Sequence, residues 1–165
     1  MTVESLKSTE PDIRTTPEIR IIGLKLDMSL ANNRVAELWQ SFMPKRHLIN
    51  TVSPEMMYSI AEYDEGYFNA FNPTTSFTRW AGLAVSEHEP VPEGFNEIRL
   101  GAGKYAVFTH YGAGPTARQT FMHIHGNWMP KSGYGYDNRP FFELLGPKYK
   151  NNDPSSEEEI WVPIV

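Results

Sequence analysis

Apolar residues follow two rhythms along this chain. In 19–29 (IRIIGLKLDMS) they alternate well enough with polar residues to predict a strand, and 56–64 (MMYSIAEYD) and 76–87 (SFTRWAGLAVSE) read as two more. Between the first two, Val35, Leu38, Trp39 and Phe42 recur at helical spacing. They predict an amphipathic helix over Ala31–Met43, capped by Ser29 or Asn32 and ended by Pro44. The segment GYFNAFNPTT (66–75) is a turn-rich loop with an unusual load of aromatics, and EHEPVPEGF (87–95) is a proline-rich crossover. A second series follows: one long or broken strand in 96–112, a helix over Thr116–Met129 stopped by Pro130, the loop KSGYGYDN, and strands at RPFFELLG and EEEIWVPIV. The acidic run Glu157, Glu158 and Glu159 is assigned to the solvated loop entering the last strand, and residues 1–17 to a polar arm.

The two series are copies. Displaced by 86 residues, Ile19, Ile21, Val35, Leu38, Trp39 and Phe42 fall on Tyr105, Val107, Phe121, Ile124, His125 and Trp128, and Met43-Pro44-Lys45 falls on Met129-Pro130-Lys131. The expected fold is α+β: a β-α-β-β unit in 18–87 repeated in 96–165 about a pseudo-two-fold axis, forming a single domain. A ligand cleft is expected where the copies meet. A chain of 165 residues, 40% hydrophobic and 13% aromatic, has the material for a core. It has no cysteine, no apolar leader and no membrane-spanning run, so a cytoplasmic location is expected. A net charge of -5 without a Lys/Arg stripe argues against nucleic acid as a direct partner.

Glu143 is the most pointed candidate for chemistry, set in the apolar strand Pro-Phe-Phe-Glu-Leu-Leu. Period-2 alternation alone allows it to face solvent between a buried Phe142 and Leu144. The functional alternative turns it into the cleft, where a carboxylate walled by aromatics attracts an organic cation. Glu62 holds a similar place in the first unit and is the second candidate. Tyr58, Tyr63, Phe68, Trp80, Phe108, Tyr111, Tyr134 and Tyr136 lie on strands or their loops; most are core, and Trp80 and Tyr111 are the favoured ligand walls. His123 and His125 are two apart on a helix, so they cannot share a metal ion; His125 is expected to be a packed, hydrogen-bonded histidine. No metal and no cofactor are expected. Gly101-Ala102-Gly103 and Gly112-Ala113-Gly114 lack the lysine and helix register of a phosphate loop, and no elbow motif marks a nucleophilic serine.

The series Gly-Lys-Tyr-Ala-Val-Phe-Thr-His-Tyr-Gly, Trp-Met-Pro-Lys-Ser-Gly-Tyr, Phe-Glu and Glu-Glu-Glu-Ile-Trp-Val-Pro-Ile resembles the gyrase-inhibitor-like (GyrI-like) small-molecule-binding domain. That is the effector-binding module of AraC-type and MerR-type multidrug regulators. The resemblance is good over 97–165 and looser over 18–87. It implies a duplicated β-α-β-β fold and a cleft glutamate on the strand before the final Pro-Ile strand, which by position is Glu143. The family often has a tyrosine two residues later, where this chain has Leu145. Only about 17 residues precede the first strand, too few for a DNA-binding domain, so a stand-alone module is expected. The resemblance implies reversible binding of a lipophilic, aromatic or cationic small molecule, for sensing or sequestering, with Glu143 at the ligand; the reading of the strands adds Trp80, Tyr111, Tyr58, Phe108 and Glu62 as expected ligand residues. The alternative it offers is a hydrolase of strained cyclopropane-type xenobiotics acting through Glu143. Inhibition of a protein partner such as gyrase is less supported, and a protein partner or homodimer stays open.

Overall fold

Two long strands that break in the middle organise the molecule. A computed structural model of the protein describes residues 10–112, 114–150 and 153–165. The first nine residues of the predicted arm and Ala113 of the second glycine pair lie outside them. The arm's remaining stretch forms β1 (Asp12–Thr16), which runs through Pro17 into β2 (Ile19–Met28). In the same way β5 (Asn96–Leu100) runs through Gly101 and Ala102 into β6 (Gly103–Tyr111). β1 pairs with β6 and β2 with β5, and the register stays in step across both breaks, from Thr16 opposite Gly103 to Ile19 opposite Leu100. Pro17 has no N–H for the ladder. Gly103 sits at φ 142°, and a Cβ there would meet the Arg139 guanidinium at 2.9 Å.

β3 (Met57–Glu62), β4 (Phe77–Ala84), β7 (Phe141–Leu145) and β8 (Glu157–Pro163) complete one antiparallel sheet in the order β1-β6-β8-β7-β3-β4-β2-β5. The order β6-β8-β7 meets β3-β4-β2 as its own reversal, so the pseudo-dyad passes between β3 and β7, where Ser59 faces Glu143. The sheet rolls up: Ile21 of β2, Leu100 of β5 and Tyr105 and Val107 of β6 share one core with Tyr58, Trp80, Phe142 and Trp161. Strands from both flanks can meet there only if the sheet curls around that face.

The opposite face carries the helices. α1 (Val35–Phe42) lays Leu38 and Phe42 on Ile22, Ala81 and Leu83. α2 (Gly114–His123), a π-helical segment (Ile124–Trp128) and α3 (Met129–Ser132) lay Ile124 and Met129 on Ala106, Phe108, Val162 and Ile164. The helix pattern departs from expectation in two ways. α1 begins at Val35 because the preceding turn binds itself: Ser29 Oγ accepts from the Asn32 N–H at 2.9 Å and Asn33 Oδ1 from the Val35 N–H at 3.0 Å. Pro44 closes α1 as expected, but Pro130 does not stop the second helix. Pro44 opens a 3-10 segment (Met43–Leu48) and Pro130 opens α3, first-turn positions where the missing N–H costs no bond. The π segment bonds the Met129 N–H to the Ile124 carbonyl and turns both side chains, five residues apart, to the sheet.

Among the described residues no helix is long and apolar enough to cross a membrane. With helices on one face and the curl on the other, the central strands are covered twice, which is why they read as nearly continuous apolar runs.

β2 and β4 approach closely where Gly23 pairs with Gly82, and a Cβ on Gly23 would lie 2.1 Å from the Ala81 carbonyl oxygen. Gly23→Ala is therefore expected to lose at least ~1–3 kcal/mol, the cost of overpacking a close-packed site. Urea unfolding should show a lower midpoint at unchanged m, while Gly126→Ala, with open space around its Cβ, stays near wild type.

Candidate functional site

Alternation along β7 decides where Glu143 points. Phe142 turns into the rolled core and stacks on Trp161 at 5.1 Å, so Phe141, Glu143 and Leu145 face the helix side. That side is not solvent, and Glu143 is half-buried. On the neighbouring strand β8, Glu143 stands opposite Ile160, and Glu158 lies two residues away on the same face. The two carboxyls are near enough for a hydrogen bond between them once one is protonated. Glu157–Glu159 is thus part of the strand, not a solvated loop: β8 pairs with β6 as far as Glu157 opposite Tyr111, and all three glutamates are half-buried.

Burial, and then the Glu143 charge, push the Glu158 carboxyl up to about 9, against a smaller opposing pull from Arg79. Two carboxylates this close in a poorly hydrated place cannot both ionise cheaply, so one keeps its proton at neutral pH. Arg79 reaches this face from β4 and donates from Nη1 to Ser59 Oγ, itself buried on β3, at 2.9 Å. His110 of β6 stands opposite Glu158; burial lowers its pKa although Glu143 opposes this, and its Nδ1 lies 2.7 Å from Thr120 Oγ1.

Aromatic rings wall the pair. Tyr63, just past β3, meets Phe141 edge-on at 5.0 Å, and its hydroxyl is pushed up to about 12 by burial. Phe68 from the 66–75 loop stacks on His125 at 4.4 Å, Tyr136 at 4.7 Å and Phe141 at 5.5 Å. His125 is the packed, hydrogen-bonded residue its place in the repeat suggests: Nδ1 lies 2.6 Å from the Tyr136 hydroxyl, and burial holds its pKa down at about 3. Two cavities flank the cluster. One, of about 410 Å³, is acidic and includes Glu157, Glu158, Glu159, Tyr111, Leu144 and Met56. The other, of about 400 Å³, is an aromatic groove including Phe68, Phe121, His125, Tyr134 and Tyr136.

The other sequence candidates are dispersed. Trp80, Tyr58 and Glu62 lie on the curled face, opposite Glu143, with the indole Nε1 of Trp80 donating to Glu62 Oε1 at 2.6 Å. Phe108 is core beneath the second helix, edge-on to Trp128 at 5.2 Å. Tyr111 lines the acidic cavity. Glu158, Arg79 and Phe68 complete the cluster around Glu143. Among the described residues, no group of three or more His, Cys, Asp or Glu is placed to hold a metal ion.

A rolled antiparallel sheet with helices on one face has known counterparts. A family model of the GyrI-like small-molecule-binding domain matches residues 9–165. The chain belongs to that family. This GyrI-like domain is 30% identical over 150 residues to the transcriptional regulator BrlR of Pseudomonas aeruginosa, covering 90% of the chain and 53% of the regulator. It spans about half the length of that relative. It shares its fold with SAV2435 bound to tetraphenylphosphonium (TM-score 0.71, 17% identity, 94% of each chain covered). It also shares it with a hydrolase from Listeria innocua (TM-score 0.59, 14% identity, 95% of this chain and 92% of that one).

The raised Glu158 pKa carries a stability consequence with a definite sign. In the folded GyrI-like domain Glu158 keeps its proton up to about 9, whereas the unfolded chain releases it near the ordinary carboxylate value. Stability from this group is fully present below that ordinary value and is lost as pH rises toward about 9. The slope is limited to about 1.4 kcal/mol per pH unit, and water reaching a half-buried carboxyl reduces it. Thermal unfolding between about pH 5 and about pH 9 should show Tm falling for the wild type and a flatter profile for Glu158→Gln. Equal slopes in the two proteins would remove Glu158 as the source.

Proposed function

We propose that this GyrI-like domain reversibly binds a lipophilic small molecule, aromatic and preferably cationic, at the Glu143–Glu158 cluster, and so senses or sequesters it. The observation that carries this reading is a carboxylate pair on a half-buried face beside stacked rings. Charge and ring quadrupoles act together there, and partial dehydration strengthens both. Arg79 neutralises part of the acidity, leaving room for one positive charge and no more. The fold counterpart with tetraphenylphosphonium, a cation surrounded by aryl rings, is in keeping with that chemistry.

A second reading rests on one specific feature. A protonated carboxyl next to a second carboxyl that can ionise is the pairing that acid–base catalysis of hydrolysis uses, with Glu158 to give a proton and Glu143 to activate water. The hydrolase among the fold counterparts keeps this reading in view.

One panel separates the two: a cationic dye, a neutral aromatic of similar size and a strained electrophile, each measured on wild type and Glu143→Gln. For binding, the variant should weaken the cation by about 2–4 kcal/mol, the cost of removing one side of a buried charge pair, and barely change the neutral compound. A hydrolase would show product over many turnovers, with turnover lost and affinity retained in the variant. If no compound tells the two proteins apart, Glu143 is not the functional centre.

A further inference from the structure

The charges around Glu143 and Glu158 can be counted element by element. β7 supplies Glu143, opposite Ile160 of β8, and β8 supplies Glu158, two residues before Ile160 and on the same face; β4 supplies Arg79, held 2.9 Å from Ser59 Oγ beside Glu143, and β6 supplies His110, opposite Glu158. The segment after β3 supplies Tyr63 and Tyr67, and the turn after β7 supplies Tyr149. On the helix side stand His125 and Tyr136. Burial raises all the tyrosines here, with Tyr63 at about 12, so they stay neutral at any working pH. Both histidines are lowered by burial, His125 to about 3, so they are neutral above about pH 6.5. On this face that leaves one guanidinium, two carboxyls and the single proton between them; Glu157 and Glu159, on the other face of β8, are paired with Lys148 at 3.4 Å and Arg14 at 3.3 Å. Arg79 balances one carboxylate and the proton balances the other, so the ligand-free site is close to neutral.

We propose that a cation enters this site by exchange: its positive charge takes the place of the proton shared by Glu143 and Glu158, which leaves to solvent. The proposal rests on the cation-binding reading above and adds to it the second carboxyl and the stoichiometry. A cation arriving while the proton stays would leave an unbalanced positive charge on a half-buried face, and losing the proton with no cation would leave an unbalanced negative one. Only the exchange keeps the face neutral in both states. The two glutamates therefore act as one ion exchanger. A neutral molecule leaves the proton in place, so its affinity carries no dependence on pH.

The test uses tetraphenylphosphonium and the neutral triphenylphosphine oxide with the whole chain. Titration calorimetry at about pH 7, in buffers of different ionisation enthalpy, should report about one proton released per phosphonium bound and none for the oxide. Phosphonium affinity should rise about tenfold per pH unit between about pH 6.5 and about pH 8, and oxide affinity should stay flat. Glu158→Gln, which cannot hold the exchangeable proton, should bind phosphonium with no proton release and no pH slope; Glu143→Gln should lose both as well. The wild-type buffer series needs no variant, so the outcome survives a poorly folding mutant. Phosphonium bound at every pH without proton release overturns the exchange and leaves cation binding standing. Absence of phosphonium binding at any pH overturns both.

Discussion

Two carboxyls that share a half-buried face cannot both be charged without cost, and the centre of this molecule is arranged around that constraint. Glu143 and Glu158 lie on adjacent strands within hydrogen-bond reach, where attraction and repulsion are several times stronger than in water. The surrounding groups answer the cost in three ways: a proton kept on the pair, a guanidinium on β4 and rings that limit water. Each answer needs its element in a fixed place. Arg79 is steadied by Ser59, and Ser59 faces Glu143 across the pseudo-dyad, so a one-residue slip between β3 and β7 would separate anchor and carboxylate.

The register is held by two arginines beside the breaks of the long strands, Arg20 buried and Arg139 half-buried. Arg20 of β2 donates to Glu97 Oε2 at 2.7 Å and to the Ser86 and Glu89 carbonyls at 2.8 and 2.7 Å, fastening the crossover against the first unit. Arg139 donates to Asp137 at 2.6 Å and to the Lys104 carbonyl at 2.7 Å, with its guanidinium 4.5 Å from the centre of the Tyr105 ring. It closes the break between β5 and β6. These two clamps pin the long strands at their kinks. The rolled sheet then brings β7 and β3 together at the middle, and the site inherits its geometry from those kinks.

Much of this was legible from residue order. The 86-residue repeat anticipated the mirrored strand order and the helical Met-Pro-Lys segments at matching places, because both follow from local periodicity. Glu143 stood out since a carboxylate is conspicuous in a strand covered on both faces. Glu158 did not, because three consecutive glutamates hide the alternation that Glu158, Ile160, Val162 and Ile164 share. Arg79 was hidden for a similar reason, between Thr78 and Trp80, where it passes for a surface cation. Trp80 and Tyr58 looked like ligand walls until parity along β4 and β3 put them on the curled face, a distinction that needs the register. The aromatic loop could be identified by composition, but no spacing rule carries Phe68 across to His125.

That loop is also where the cover over the carboxylates is least well satisfied. Tyr67 is 5% exposed, and its hydroxyl is buried without a hydrogen-bond partner among the described residues. An orphaned hydroxyl costs about 1–3 kcal/mol, which the surrounding ring contacts must offset. Tyr63, Tyr67, Phe68 and Phe77 supply those contacts through edge-on and tilted packing, and Phe68 adds its stack on His125 and Tyr136. Ring packing is broad and tolerant of small shifts, whereas the strand ladders beneath it are not. Adaptability in this site therefore belongs to the aromatic cover, and the charge pattern under it belongs to the sheet. On the proposed reading, such a site fixes the number of charges it accepts while leaving the shape of the aromatic part loosely specified.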